Sequence, residues 1–276
     1  MSAVHKVDVN GFWENGWTIV RGVYGAKDIK RLRQAAFESR KAVTGDLLSN
    51  PRLREVLTDG HMIGIAQQIL SDDKIVYGGD SAFTINGTQR GFHKDNADRT
   101  DPNAPDWAGR YTILRFGIYL QDHYRHTGGL NLRHQSHNTP DLSVGKNVYV
   151  RTHPGDVAVW SLRTTHSGNG TLLRFPKTAA PLPTEHDKYP TWRIAPKDGD
   201  RIALFAALGL DDAHMARYID YLKTRKYMCE IWGRTHYDPA ALTAADSAGL
   251  IVRNVPAEID GDPTVGKNTD YAPLPY

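Results

Sequence analysis

The first 70 residues predict one short strand followed by two helices. Trp17–Val20 is apolar and bulky enough for a strand, and an amphipathic helix begins at about Ala26. The apolar residues of that helix at helical spacing are Ile29, Leu32, Ala36 and Val43. Asn50-Pro51 is a start signal for a second helix, which runs to about Leu70 and is interrupted near Asp59-Gly60.

Between about residues 73 and 174 the helical period disappears. Short runs rich in β-branched and aromatic residues are separated by Gly, Asn, Asp and Pro, which is typical of strands joined by turns. The runs are KIVYG (74–78), SAFTIN (81–86), RYTILRFGIYL (110–120), VYVRTH (148–153) and DVAVW (156–160). Many short strands in succession favour an antiparallel sandwich or barrel.

The remaining third of the chain mixes loop, strand and helix signals. Residues 172–199 are polar and contain five prolines, so we expect a long loop, either an insertion or a lid. A further strand is predicted at 201–209, and a helix follows at 211–232, capped by Asp211 or Asp212. We therefore expect a single α+β domain over residues 1–276, with helices outside a β-core and a C-terminal helix plus tail at 211–276.

The strand at 111–121 has two chemically different faces. Its apolar face carries Leu114, Phe116, Ile118 and Leu120. The opposite face carries Tyr111, Arg115, Gly117, Tyr119 and Gln121. The second face is polar for a barrel strand, so Arg115, Tyr119 and Gln121 are expected either to line a cavity or to meet a helix or solvent.

Composition and charge narrow the function classes. The chain has 40% hydrophobic residues and a formal net charge of +3, without the basic stripe of a nucleic-acid-binding protein. It has no apolar run of membrane-spanning length and no signal-peptide pattern, so we expect no membrane association and a cytoplasmic location. One cysteine, Cys229, excludes a multi-cysteine metal site, and twelve histidines raise the question of another metal site.

The shortest motif with metal chemistry is His93-Lys94-Asp95. On an alternating strand, residues two apart face the same side, so His93 and Asp95 could bind one metal ion together. About one His-x-Asp is expected by chance in a chain of this composition, and His236-Tyr237-Asp238 is a second copy. No histidine follows that copy to act as a third ligand, whereas a strand and turn after Pro154 lead from the first copy to His166.

Other histidines gather around a glycine-rich turn. They are His123, His126, His134, His137 and His153. A second metal site would need several of them to converge, and packing or surface roles are the more common fate of such residues.

An ordered series of segments resembles the phytanoyl-CoA dioxygenase family of Fe(II)/2-oxoglutarate-dependent oxygenases. The segments are GFWENGWTIVRGV (11–23), HKD (93–95), RFGIYLQD (115–122), TGGLNLRHQSH (127–137), PGDVAVWSLRTTHSGNG (154–170) and an Arg-x-Ala-Leu strand at 201–204. The resemblance implies a double-stranded β-helix, or jelly roll, flanked by helices. It also implies that His93, Asp95 and His166 bind iron and are the catalytic residues.

The same resemblance implies an arginine that binds the distal carboxylate of 2-oxoglutarate. A planar guanidinium suits this task because it donates two parallel hydrogen bonds to a carboxylate. Arg201 matches the family's strand, although the family usually places this arginine closer to the distal histidine. Arg174, eight residues after His166, is the rival. The segment at 172–199 would then be an insertion, which we expect to close over the active site.

The implied activity is hydroxylation of an unactivated C–H bond in a small molecule, with Fe(II), 2-oxoglutarate and O₂ consumed or bound and succinate and CO₂ released. Halogenating relatives lack the carboxylate ligand, so Asp95 favours hydroxylation. Arg115 and Arg163 could hold an anionic substrate group, with Tyr119 and Gln121 beside them. The alternative is a cupin-like isomerase or binding protein that uses the same ligands without 2-oxoglutarate. Substrate identity and oligomeric state stay open.

Overall fold

The computed structural model describes residues 5–42, 45–88, 90–176, 180–262 and 265. Nine strands are present in these residues: β1 Trp17–Val20, β2 Ile75–Ile85, β3 Ile113–Tyr119, β4 Gly129–Arg133, β5 Asn147–Val150, β6 Val157–Ser161, β7 His166–Gly170, β8 Ile202–Gly209 and β9 Leu250–Val252. Eight α-helices accompany them: α1 Val9–Asn15, α2 Ala26–Ser39, α3 Glu55–Thr58, α4 His61–Leu70, α5 Ala213–Lys223, α6 Lys226–Trp232, α7 Pro239–Ser247 and α8 Val255–Glu258. Val43, expected on the first amphipathic helix, lies outside the described residues.

Two sheets form the core. The large sheet has the order β1-β6-β3-β8-β2-β9, and the small sheet has the order β5-β4-β7. All neighbouring strands are antiparallel except the β2–β9 pair. The order interleaves strands distant in sequence, so residues from the middle and the end of the chain become neighbours. These observations confirm the α+β prediction and the antiparallel β-core.

The large sheet is buried on both faces. One face packs on the N-terminal helices through a cluster that includes Phe12, Leu32 and Met62 from the helices and Leu114 and Phe116 from β3. The other face meets the small sheet through Tyr119, Trp160, Leu130 and Leu132. The apolar face predicted for 111–121 is therefore the helix-packed face, and the polar face points into the space between the sheets.

Gly117 lets the inner face close tightly. A Cβ atom at this position would lie 3.0 Å from the ring of Trp160 on the neighbouring strand and 3.4 Å from the ring of Tyr119. A larger residue would push one of these rings out of place, because the interior is close-packed. The glycine thus sets the width of the inter-sheet space beside the candidate site.

Strand β2 joins two runs that the sequence suggested as separate strands. Its pairing with β8 shifts register between Tyr77 and Ser81, where Gly79 has a φ of +80°. A bulge of this kind adds a residue and changes which side chains share a face. After the bulge, Asp80, Ala82 and Thr84 all line the inter-sheet cavity.

The C-terminal region is more structured than the sequence predicted. The single helix expected at 211–232 is two helices, because the first ends at Thr224, whose hydroxyl donates to the carbonyl of Tyr221. Asp212 caps this first helix by accepting from the amides of His214 and Met215. Between that helical region and the tail expected from about Ala257, the chain forms helix α7 and strand β9, which lies at the edge of the large sheet, and α8 follows at the start of the tail.

The proline-rich segment lies against the outer face of the small sheet. Asn131 of β4 donates to the carbonyl of Pro181, and Asn147 of β5 donates to the carbonyls of Ala180 and Pro181. Because Leu130 faces the cavity, its neighbour Asn131 faces away from it. Ala180 and Pro181 therefore lie on the side of the small sheet opposite the cavity. The expectation that 172–199 is an insertion or a lid stays a prediction.

The described part of the chain contains no candidate membrane-spanning helix. None of its helices combines the length and the apolar composition that a bilayer-spanning helix needs.

Candidate metal centre

Three side chains at the mouth of the inter-sheet space form a candidate metal-binding group. One ligand atom from each of His93, Asp95 and His166 lies within 4.8 Å of the other two. The Nε2 atom of His93 is 3.8 Å from Asp95 Oδ1, and the Nε2 atom of His166 is 3.4 Å from Asp95 Oδ2. Within the described residues no other group of three metal-ligating side chains converges in this way.

The backbone brings the three residues together. His93 and His166 exchange two backbone hydrogen bonds, of 3.0 and 2.9 Å, in an isolated β-bridge. The amide of Asp95 donates to the carbonyl of Leu162 at 3.0 Å. Apart from this bridge, the segment around His93 is not a strand, so the strand alternation expected for His93 and Asp95 is wrong. Backbone pairing with Leu162 and His166 positions His93 and Asp95 instead.

Both imidazoles present Nε2 to the group. His93 Nδ1 donates to the carbonyl of Gly91 at 2.9 Å, and His166 Nδ1 donates to the carbonyl of Thr164 at 3.0 Å. A proton held on Nδ1 leaves the Nε2 lone pair free, and such carbonyl partners are typical around histidine metal ligands. Burial, together with His166, lowers the pKa of His93 to about 4, so its ring is neutral near pH 7.

The carboxylate completes a donor set of two nitrogens and oxygen. Burial opposes ionisation of Asp95, but its contacts with His166 and Arg115 outweigh burial and hold its pKa well below the usual range. A neutral imidazole, as at His93, and an ionised carboxylate, as at Asp95, are the protonation states that bind a divalent metal. The residues therefore fit a two-histidine, one-carboxylate site for an ion such as Fe(II).

A cavity of about 360 Å³ opens from these ligands into the space between the sheets. Its wall includes the mostly apolar set Ala82, Tyr119, Leu130, Trp160, Phe205 and Tyr227. An apolar cavity with a few convergent polar groups is the usual form of a small-molecule site.

Arg201 lines the same cavity, and the part of the cavity beside it is called the Arg201 end. Only 8% of its surface is exposed, its Nε donates to the carbonyl of Gly128 at 2.6 Å, and its guanidinium lies 5.5 Å from the ring of Tyr119. Among the described residues no acidic side chain pairs with it, and burial lowers its pKa. A buried cation that lacks a carboxylate is well suited to binding one from a ligand.

Arg174, the rival, lies elsewhere. It is exposed on the proline-rich segment, where its Nε donates to the carbonyl of Ile194 at 3.1 Å. It does not line the cavity that contains the three candidate metal ligands.

Arg115 faces the cavity but is already paired. Its guanidinium contacts Asp80 at 2.7 Å and Asp95 at 3.1 Å, and it lies 3.1 Å from the hydroxyl of Tyr218. Tyr218 in turn donates a hydrogen bond to Asp80. Arg115 therefore links a candidate metal ligand to a second buried carboxylate, and its charge is used within the protein.

The other three residues suggested for substrate binding have different positions. Tyr119 lines the cavity, and its buried hydroxyl has no partner among the described residues. Gln121 lies near Arg201, where its Nε2 contacts His123 and its Oε1 accepts from the amide of Ile202. Arg163 is not brought to the cavity, because it donates to the backbone carbonyls of Asp106 and Gly109 instead.

The remaining histidines and the second His-x-Asp motif have local roles. His126 and His153 both contact Asp122, and His137 lies 3.1 Å from the carbonyl of Trp13. Asp238 caps α7 and accepts two hydrogen bonds of 2.8 Å from Arg54, which explains the second motif without a metal.

Sequence reasoning missed three residues of the site: Asp80, Tyr218 and Tyr227. Asp80 could have been found from the sequence, because it follows two glycines inside a buried strand and a buried carboxylate requires a partner. The two tyrosines lie on α5 and α6, and no local pattern shows that these helices pack beside the cavity.

Solved structures supply the comparison. No protein-family profile and no curated protein matches the sequence. The non-haem α-ketoglutarate-dependent epimerase SnoN of nogalamycin biosynthesis superimposes with a TM-score of 0.53 at 15% identity, over 72% of this chain and 80% of its own. HygX from Streptomyces hygroscopicus, with nickel and 2-oxoglutarate bound, gives 0.53 at 14% identity over 72% and 85%.

EctD from S. alaskensis, crystallised with 2-oxoglutarate and 5-hydroxyectoine, gives a TM-score of 0.52 at 16% identity, over 73% of this chain and 74% of its own. At such identities the likeness extends to the fold. The chain therefore has the jelly-roll fold that these non-haem, 2-oxoglutarate-binding proteins share, which confirms the predicted fold class.

Proposed function

We propose that the chain is an Fe(II)- and 2-oxoglutarate-dependent dioxygenase that hydroxylates an unactivated C–H bond of a small metabolite. One observation carries the proposal: the group His93, Asp95 and His166 opens into the same cavity as a buried arginine, Arg201, that lacks an acidic partner in the described structure. The jelly-roll fold supports it. Closer kinship with the phytanoyl-CoA dioxygenase family, suggested by the ordered motifs, is part of the same proposal.

The protein's own residues would divide the work between two ends of the cavity. His93, Asp95 and His166 would hold Fe(II) on one side and leave its other positions open to ligands. Arg201 would anchor the distal carboxylate of 2-oxoglutarate through a charge-assisted pair. Bound iron and 2-oxoglutarate would supply the oxidation, in which O₂ and 2-oxoglutarate are converted to succinate and CO₂ as C–H becomes C–OH.

Tyr119 would add a directed donor inside this cavity. Burial raises the pKa of Tyr119 to about 12, so its hydroxyl keeps its proton near pH 7. A buried hydroxyl without a partner costs free energy, and a ligand oxygen would remove that cost. Trp160, Phe205 and Leu130 would exclude water around it.

Hydroxylation is the proposed outcome because Asp95 occupies the carboxylate position. Halogenation in related enzymes needs that ligand position for a halide. SnoN is named as an epimerase and SnoK, a further fold neighbour with a TM-score of 0.50, as a carbocyclase, so the fold hosts several outcomes. The pose of the substrate C–H bond selects among them.

The first test is anaerobic binding of Fe(II) and then 2-oxoglutarate, measured by equilibrium dialysis and by the visible absorption of the ternary complex. We expect His93→Ala and His166→Ala to lose Fe(II) binding. His153→Ala, which changes a half-exposed histidine paired with Asp122, is the matched control and should retain it. Full Fe(II) retention by both cavity variants would show that the metal site is wrong.

The second test distinguishes the reaction class. Succinate release is measured over a panel of amino-acid derivatives, phosphonates and sugar acids. Arg201→Ala should raise the 2-oxoglutarate concentration that is required, and Arg174→Ala should not. The reverse result would identify Arg174 as the anchor. Fe(II) binding without any 2-oxoglutarate binding would instead favour a cupin-like isomerase or binding protein.

A further inference from the structure

A second cavity lies beside the candidate metal ligand His93. Its volume is about 460 Å³, and it lies between the loop that follows His93 and the loop at 140–142. His93 forms part of the wall of both cavities. A molecule in the second cavity would therefore lie next to the metal centre without occupying the Arg201 end.

Arg99 is the cation of this second cavity. It is partly buried, and its Nη1 atom is buried without a hydrogen-bond partner among the described residues. No acidic side chain in the described structure forms an ion pair with it, although its neighbour Asp98 pairs with Arg217. A guanidinium that lines a cavity and has no counterion is suited to a ligand that brings an anionic group.

The guanidinium is held in place from behind. Its centre lies 4.9 Å from the ring of Tyr221 on α5, and Arg225 lies 5.4 Å from the same ring. Stacking on an aromatic face fixes the plane of an arginine and leaves its edge for hydrogen bonding. Arg99 is thus oriented before any ligand arrives, which lowers the entropic cost of binding.

The other charged groups of the cavity limit the ligand. The ammonium group of Lys94 is already hydrogen-bonded within the protein, because its Nζ donates to the carbonyls of Ser136 and Arg163 at 2.6 and 2.7 Å. Asp141 also lines the cavity, and its Oδ1 accepts from the amide and hydroxyl of Ser143. One available cation beside one carboxylate suits a ligand with a single anionic group and polar donors, and disfavours a polyanion.

We propose that this second cavity binds the substrate of the dioxygenase and that Arg99 anchors a single anionic group on it, a carboxylate or a phosphonate. The identification of this ligand as the substrate rests on the proposed function. The shared wall residue His93 places the ligand beside the candidate metal site, where the oxidation would occur. Arg201 and Arg99 would thus bind two different anions, one in each of the two cavities that share His93.

The test uses Mn(II) as a paramagnetic probe in the candidate metal site, with 2-oxoglutarate saturating. Methylphosphonate and ¹³C-labelled acetate are added separately, and the relaxation rates of ³¹P and ¹³C are measured. Because Mn(II) accelerates relaxation only of nearby nuclei, an anion in the second cavity relaxes fast. Arg99→Gln should reduce the enhancement about tenfold, as expected for loss of one charge-assisted pair. The anion with the larger Arg99-dependent effect identifies the class.

Two further variants separate binding from folding and from net charge. Arg110→Gln removes the same charge from an exposed arginine stacked on Trp13 and should leave the relaxation unchanged. Ala97→Phe fills the cavity while keeping Arg99, and it should abolish the enhancement with Mn(II) binding intact. Equal enhancement in wild type, Arg99→Gln and Ala97→Phe would overturn the inference and leave the proposed function standing.

Failure of the proposed function has a different signature. If Mn(II) does not bind to the wild-type protein, the metal site fails, and methylphosphonate binding is then measured by calorimetry on the metal-free protein. Binding that Arg99→Gln removes would support the anion site alone. No Arg99-dependent binding would overturn it too.

Discussion

The inter-sheet cavity is lined by two buried arginines, of which Arg115 has acidic partners and Arg201, among the described residues, has none. At Arg115, burial alone would lower the pKa, but Asp80, Tyr218 and Asp95 outweigh it and raise the pKa above its ordinary value. At Arg201, burial dominates and lowers the pKa, since only Tyr119 and Tyr149 oppose it. A charge that is paired inside the protein orients its partners and compensates their charge, whereas a charge without a counterion is available to a ligand.

The largest expected effect is the loss of stability when Arg115, which pairs with Asp80 and Asp95, is replaced. Arg115→Met leaves Asp80 and Asp95 buried without their cation, so we expect the free energy of unfolding to fall by about 3–5 kcal/mol. Urea denaturation at pH 7 measures it. The double variant Arg115→Met/Asp80→Leu should regain part of the loss, because it removes a buried charge together with its partner. A single variant as stable as wild type would contradict the paired description.

The corresponding change at the other end should affect binding instead of stability. Arg201→Met removes the candidate anchor, so the dissociation constant for 2-oxoglutarate should rise about 100-fold, or about 3 kcal/mol. The free energy of unfolding should change by no more than about 1 kcal/mol, the value of the hydrogen bond lost at Gly128. Anaerobic calorimetry and urea denaturation give the two numbers. A large loss of stability in Arg201→Met would contradict the contrast between Arg115, whose charge is paired within the protein, and Arg201, whose charge is left for a ligand.

A pH effect sharpens the comparison at the Arg201 end. Burial, followed by the charge of Arg201, lowers the pKa of His123 to about 4, below its usual value of about 6.5 in an unfolded chain. Between these values the unfolded state binds more protons, so stability falls as the pH drops from about 6.5 to 4. At pH 5 this one residue should cost roughly 2 kcal/mol relative to pH 7.

His123→Asn should remove that part of the acid sensitivity, measured as the difference between urea midpoints at pH 7 and pH 5. Arg201→Met should raise the pKa of His123, which an NMR titration of its ring protons reports. His126→Asn is the matched control beside it. A titration of His123 near 6.5 in the wild-type protein would show that the Arg201 end is not a charged, water-poor environment.

The smallest effect concerns the buried hydroxyl of Tyr119, which has no partner among the described residues. Tyr119→Phe removes a buried donor with no partner, so the free energy of unfolding should stay the same or rise slightly. If the hydroxyl donates to a bound ligand, affinity for 2-oxoglutarate or substrate should fall about fivefold, or about 1 kcal/mol. Unchanged affinity for both would restrict Tyr119 to forming the wall.

The sequence predicted the strands well because their signals are local. Runs of β-branched and aromatic residues at 75–77, 113–119, 157–161 and 202–209 are all strands in the structure. The alternation on β3 also placed Arg115 and Tyr119 on one face. The long helix predicted at 211–232 divides in two, because the chain leaves the first helix after Lys223 and the hydroxyl of Thr224 donates to the carbonyl of Tyr221.

The candidate site was predictable only in part. His93 and Asp95 are two residues apart, and the ordered motifs suggested His166, which the β-bridge brings beside them. Arg115 was noticed as a cavity residue with a free charge, but Asp80 and Asp95 consume that charge. Pairing of this kind joins a bulged strand, a loop and a central strand, and no spacing along the chain encodes it.

By itself the sequence determined the succession of strands and helices, the helix-packed face of β3 and the two residues of the His-x-Asp motif, because period and turn chemistry act over a few residues. The tertiary structure decided which arginine is paired and which is left for a ligand. It also placed the proline-rich segment behind the small sheet and opened the second cavity at Arg99. Which arginine is paired depends on which distant charges meet in a water-poor interior, where removing one partner of a buried pair leaves an uncompensated charge. The other two outcomes depend on contacts between segments that are far apart in the sequence.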